Sequence, residues 1–129
     1  MSIIFFEDYI GNKRDEDDSI NIGDIGRFLR ELGANGCLMG FRYVIRIVLD
    51  ELEKEDSHLM VTKDAYPRIA EMFNTSTGSV ERSIRTLVKS IWKRKDHSRL
   101  DQVAGVHLEF MPTNSQFLDM VVAYLRFRR

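Results

Sequence analysis

The chain has 129 residues, a formal net charge of −1 and 30% charged residues, which fits one domain with enough core to fold alone and excludes a chain that is basic throughout. Its single cysteine, Cys37, excludes an internal disulfide framework and fits a reducing cytoplasm; inside an apolar stretch it reads as a small buried hydrophobe. No apolar run approaches the roughly 20 residues of a transmembrane helix, so no membrane partner is expected.

Charge is distributed unevenly. Residues 1–24 hold seven Asp or Glu against Lys13 and Arg14. Residues 79–100 hold seven Lys or Arg against Glu81 and Asp96. The two segments nearly cancel in the sum, but a partner meets the local field of the basic stripe. Residues 1–22 read as a flexible acidic tail, with an apolar tetrad at Ile3, Ile4, Phe5 and Phe6. The run from Asp15 to Asp18 lacks the alternating ligands, central glycine and terminal glutamate of a calcium loop.

Residues 23–129 read as one helical domain. Residues 24–32 form an amphipathic helix with Ile25, Phe28, Leu29 and Leu32 inward and Gly33 as its C-cap. A longer helix runs from Cys37 to about Lys54, where Leu38, Phe41, Val44, Ile45, Val48, Leu49 and Leu52 keep the helical period. Gly40 lies inside it at a cost of about 1 kcal/mol relative to Ala, which points to close approach of another backbone. Glu51, Glu53, Glu55 and Asp56 put negative charge at the unfavourable end of the dipole, so this terminus is expected to fray. Residues 59–62 make a brief extended link.

Next comes a helix-turn-helix pattern. Residues 66–73 form a short helix with Pro67 in its first turn. Asn74 stands where the chain turns and tolerates the left-handed conformation, and Ser76 or Thr77 caps the second helix. Ala70 leaves room for the crossing, with Ile69, Phe73, Val80 and Ile84 between the helices. In the second helix Val80, Ile84, Leu87, Val88, Ile91 and Trp92 share an apolar face. Arg82, Arg85 and Lys89 share another, with Glu81 beside them. Such a rod enters the major groove, where Arg reads guanine bidentately and Glu accepts from cytosine N4. The same helix with a merely solvated basic face is the plainer alternative. On the DNA reading, Glu81, Arg82 and Arg85 contact bases; Ser76, Thr77, Ser79, Lys89, Lys93 and Arg94 contact or approach phosphates.

After Trp92 the basic residues 93–99 either extend the helix or form a loop. Residues 100–104 make a short helical turn closed by Gly105, and residues 106–111 are apolar and β-favouring but too short for a sheet. Pro112 leads into a last helix that starts near Thr113, with Phe117, Met120, Val121, Tyr124 and Leu125 inward and Arg126, Arg128 and Arg129 at its favourable C-terminal end. No enzymatic chemistry is legible. His58, His97 and His107 match no metal-ligand spacing, there is no phosphate-cradling glycine loop, and no cofactor is expected.

The segments RELGANGCLMGFRYVIRIVLDELE, VTKDAYPRIAEMFNTSTGSVERSIRTLVKSIW and PTNSQFLDMVVAYLR resemble the C-terminal DNA-binding domain of the master sporulation-initiation response regulator of endospore-forming Firmicutes. The resemblance covers roughly residues 22–127; YPRIAEMFNT, VERSIR and PTNSQF are its most specific pieces. It implies a compact all-α domain of about six helices, winged-helix-like in the response-regulator effector sense. It also implies binding to a heptamer box in promoter DNA, often as tandem pairs or a homodimer, and contact with the housekeeping sigma factor of RNA polymerase. The family reads bases through a Glu-Arg pair and an Arg one turn later, positions held here by Glu81, Arg82 and Arg85. Ser79 stands where the family carries a basic residue, Thr86 where it often has His, and the stretch after Trp92 is more basic. The family's effector domain normally follows a receiver domain; here Met1 and the acidic tail precede it, so a receiver-less transcription regulator is expected. The rival expectation is a protein-interaction module that binds sigma factor or a full-length homologue with little DNA affinity.

Overall fold

The computed structural model describes residues 20–54 and 64–127. The expected acidic tail up to residue 19, the 59–62 link, His58, Arg128 and Arg129 lie outside the described residues. The described residues fold into six helices, α1 (Ile22–Leu32), α2 (Met39–Glu53), α3 (Ala65–Met72), α4 (Thr77–Trp92), α5 (Ser98–Ala104) and α6 (Asn114–Phe127), with no strand among them. Residues 106–111 pass as coil and bends.

Capping chemistry sets several boundaries. The Asn21 side chain accepts from the Asp24 N–H while the Asp24 carboxylate accepts from the Asn21 N–H, a reciprocal box that starts α1 two residues earlier than expected. Gly33, at φ 105°, ends α1; its N–H bonds to the Arg30 carbonyl and that of Ala34 to the Leu29 carbonyl. The same motif ends α3. Asn74 takes φ 57°, with Asn74 N–H on the Glu71 carbonyl and Thr75 N–H on the Ala70 carbonyl. The Ser76 hydroxyl accepts from the Ser79 N–H at 3.0 Å and opens α4. Thr113 and Gln116 form a second reciprocal box at the head of α6, at 3.0 and 3.1 Å.

α2 is the central strut, packed against α1, α3, α4 and α6. Val44, Ile47 and Val48 are fully buried along it, facing Ile25, Leu29, Ile84, Leu87, Phe117 and Val121 within one core. It crosses α4 at Gly40, where a Cβ would stand 2.3 Å from the Ser83 carbonyl oxygen and 3.2 Å from the Ile84 Cα. That backbone-on-backbone contact is the close approach the mid-helix glycine foretold. The triangle Arg46–Asp50–Arg68 ties α2 to α3, with Arg46 Nη2 2.7 Å and Arg68 Nη2 3.4 Å from the shared carboxylate.

One expectation is corrected. Cys37 is exposed, because α2 begins only at Met39 and Cys37 falls in the preceding turn, where its N–H donates to the Asn35 side chain. The end of α2 is helical to Glu53, with Lys54 as its cap. Glu51 is buried, Lys54 Nζ lies 2.9 Å from its carboxylate, and Arg126 of α6 donates to its carbonyl. Cations thus meet a terminus whose negative charge alone is unfavourable.

α5 is pinned from two sides. Arg99 reaches Glu31 on α1 at 2.9 Å and the Tyr124 hydroxyl on α6 at 3.1 Å, lying over the stacked Phe28 and Tyr124 rings. At its other end the Asp101 carboxylate accepts from the Leu108 N–H at 3.0 Å and pairs with His107 Nδ1 at 2.8 Å.

Two measurements check this packing. Gly40→Ala should destabilise by about 1–3 kcal/mol, against the small gain Ala gives elsewhere in a helix, because overpacking meets backbone that cannot yield. Calorimetry should show a Tm at least about 4 °C lower; an unchanged Tm would mean a looser crossing. The Asp101 hydrogen bond and charge raise the His107 pKa, while the Leu108 N–H, then His107, lower that of Asp101. The latch therefore weakens as pH rises through the raised His107 value and as it falls through the lowered Asp101 value. Proton NMR should find His107 titrating above about 6.5 and returning to it in Asp101→Asn.

Candidate nucleic-acid interface

α4 is held by one side only. Val80, Ile84, Leu87, Val88 and Ile91 are buried against α2, α3 and α6, while Glu81, Arg82, Arg85, Thr86 and Lys89 stand exposed on the opposite side. The three expected base readers thus share one solvent-facing surface of a rigid helix. Arg82 runs back toward the N-terminal turn, where the missing Cβ of Gly78 leaves space 3.4 Å from its Nη1. Arg85 Nη2 lies 3.6 Å from Glu81 Oε2. Both side chains are about half exposed, and an i,i+4 pair of that kind contributes about 0.3–0.5 kcal/mol. A bidentate arginine–guanine contact discriminates by about 1–3 kcal/mol, so a base edge outcompetes the intrahelical pair.

The expected phosphate residues fall at the two ends of the same helix. Ser76, Thr77 and Ser79 surround the N-terminal turn, and Ser76 is already committed as the cap. Lys89 and Lys93 are exposed toward the C-terminus. Arg94 is exposed, but its aliphatic stem lies over Gly33, whose added Cβ would come 2.0 Å from the Arg94 Cδ. Beyond Trp92 the chain is a loop rather than a longer helix. His97 stacks on the Trp92 ring at 4.2 Å and its Nε2 approaches the Trp92 carbonyl at 2.6 Å, which turns the backbone away. Arg99, part of the basic stripe in sequence, leaves it in space because Glu31 and Tyr124 hold its guanidinium.

Another group enters the site from afar. A cleft of about 280 Å³ beside α4 is lined by Glu81 and Arg85 together with Tyr66 of α3, Pro112, and Asn114 and Ser115 of α6. Asn114 Nδ2 donates to the Glu81 carbonyl at 3.0 Å. Burial raises the Tyr66 pKa, opposed by hydrogen bonds to Ser115 and Asn114, so its hydroxyl stays protonated at neutral pH. No periodicity signals these partners, since 33 residues separate Asn114 from Glu81 and only the tertiary fold joins them. Among the described residues no group of His, Cys, Asp and Glu is placed to hold a metal ion, and no helix is long and apolar enough to cross a membrane.

On the other side of α6, a cleft of about 590 Å³ is lined by residues that include Val106, Leu108, Phe110 and Met120. Phe110 is 80% exposed and Val106 63% exposed, an unusual display for large apolar side chains in a small domain.

The three stretches that carry the resemblance, around Tyr66, Glu81 and Asn114, are therefore neighbours in space at the exposed face of a helix-turn-helix. A family model described as "Sporulation initiation factor Spo0A C terminal" matches residues 25–125, from the first turn of α1 to near the end of α6. That family is a sporulation-related, DNA-binding effector domain, a regulatory rather than an enzymatic unit. By a match that spans more than three quarters of the chain, this protein belongs to the Spo0A C-terminal family.

Proposed function

We propose that this chain is a sequence-specific transcription regulator that binds promoter DNA through α4 in the major groove and acts in sporulation initiation. The observation that carries the reading is the one-sided burial of α4, which leaves Glu81, Arg82 and Arg85 on a single exposed face of a helix fixed by the core. In this reading those three contact base edges. Ser76, Thr77, Ser79, Lys89, Lys93 and Arg94 bind or approach phosphates on either side of the groove. Residues 23–129 are the DNA-binding domain and residues 1–22 an acidic tail attached to it. The protein works in the cytoplasm and occupies its boxes as a homodimer or tandem pair.

A second reading rests on the exposed apolar residues Val106 and Phe110. They give the domain a protein-binding surface separate from α4, suited to the sigma factor of RNA polymerase or to a full-length homologue. The two surfaces are compatible in one regulator; the rival reading keeps only the second.

Fluorescence anisotropy with a duplex carrying the family's heptamer box and a scrambled duplex tests the proposal. The box should be preferred by more than about tenfold, or 1.4 kcal/mol. Arg82→Ala or Arg85→Ala should cost about 1–3 kcal/mol on the box and relax discrimination. Should Arg82→Ala keep the full preference, the docking would be wrong. Lys89→Ala should weaken both duplexes alike and reduce the slope of log K against log salt by about 0.9, the signature of one lost phosphate contact. A folded protein that binds neither duplex would favour the protein-interaction reading.

A further inference from the structure

Three helices meet beside the base-reading face of α4, each through one polar side chain or carbonyl. The Asn114 carboxamide at the head of α6 donates to the Glu81 carbonyl on α4. Tyr66 on α3 lines the same cleft as Asn114 and Ser115. The carbonyl that receives Asn114 belongs to the residue whose carboxylate faces Arg85. Asn114 is not needed to start its own helix, because Thr113 and Gln116 already satisfy that end reciprocally. Its donor therefore serves α4 rather than α6.

From this junction we infer that Asn114 is a specificity-determining positioning residue, which fixes the height of Glu81 and Arg85 above the base edges, with Tyr66 beside it in the same cleft. The inference rests on the reading of α4 as the base-reading helix. Bidentate contacts to a base edge demand placement within about 0.5 Å, whereas a long lysine reaching a phosphate tolerates a shift. Loss of the Asn114 tie thus falls on discrimination between sequences and spares the non-specific affinity. Tyr66 and Asn114 need touch no nucleotide for this to hold.

The experiment compares the full chain with Asn114→Ala, Tyr66→Phe, Arg85→Ala and the Asn114→Ala/Arg85→Ala double variant. Anisotropy against the box and scrambled duplexes over a salt series is paired with Tm. Asn114→Ala should lower the box-to-scrambled ratio by roughly fivefold, about 1 kcal/mol, and leave scrambled binding and the salt slope unchanged. Its Tm should hold or rise, since Ala is the best helix former and the cap is intact. Tyr66→Phe, which keeps the ring and removes the hydroxyl, should move the ratio in the same direction by less. In the Arg85→Ala background Asn114→Ala should change the ratio no further, the non-additivity expected of a residue acting through another. An unchanged ratio in Asn114→Ala overturns the inference. So does equal weakening on both duplexes with a shallower salt slope, which would make Asn114 a phosphate contact, and so does a fall in Tm that accounts for the loss. If the wild type prefers neither duplex, or Arg85→Ala keeps the full ratio, the base-reading assignment itself fails and the inference falls with it.

Discussion

The contact on which the rest depends is the crossing of α2 over α4 at Gly40. Two helix backbones can approach as closely as Gly40 and Ser83 do only when one carries no side chain there. The approach clamps α4 by its inner face along the central strut and lets Val80, Ile84 and Leu87 disappear into the core. It also decides which residues remain outside. A helix fixed at that angle must present Glu81, Arg82, Arg85 and Lys89 to solvent, so the packing of the buried faces determines which face is exposed.

Around that crossing the molecule divides its polar groups by task. Two ion pairs join separate helices, Arg68 with Asp50 between α3 and α2 and Arg99 with Glu31 between α5 and α1. The pair on the working face, Glu81 with Arg85, is solvent-exposed and weak enough to yield to a better partner. Caps carry the turn between the two helices of the motif: left-handed Asn74 and the Ser76 hydroxyl satisfy the groups that α3 and α4 leave open. The result is a rigid presentation of flexible side chains, as the proposed reading of phosphates and bases requires.

Much of this was legible in the order of residues. The period of α4 foretold its buried and exposed faces, Asn74 and Ser76 foretold the turn, and Gly40 foretold a close backbone, because each rests on local geometry. Misreadings arose where a boundary or a distant partner decides. Cys37 reads as buried if α2 begins at it, but the helix starts at Met39 and leaves Cys37 in a solvated turn. The α2 terminus reads as purely acidic until Arg126, 75 residues away, is brought to it. Arg99 belongs to a basic stripe in one dimension and to the α1–α5–α6 junction in three. Asn114 and Tyr66 carry no spacing signal toward Glu81 at all; only the folded chain makes them neighbours.

The central claim is that the exposed face of α4 meets DNA. The most direct measurement is an NMR titration of the isotopically labelled protein with a box duplex, following backbone amides and arginine side chains. The account predicts the largest shifts at residues 76–89, with Arg82 and Arg85 guanidinium signals moving while residues 105–112 stay still. Shifts centred on residues 105–112, with the α4 face unmoved, would contradict it and put the binding surface on the opposite side of α6.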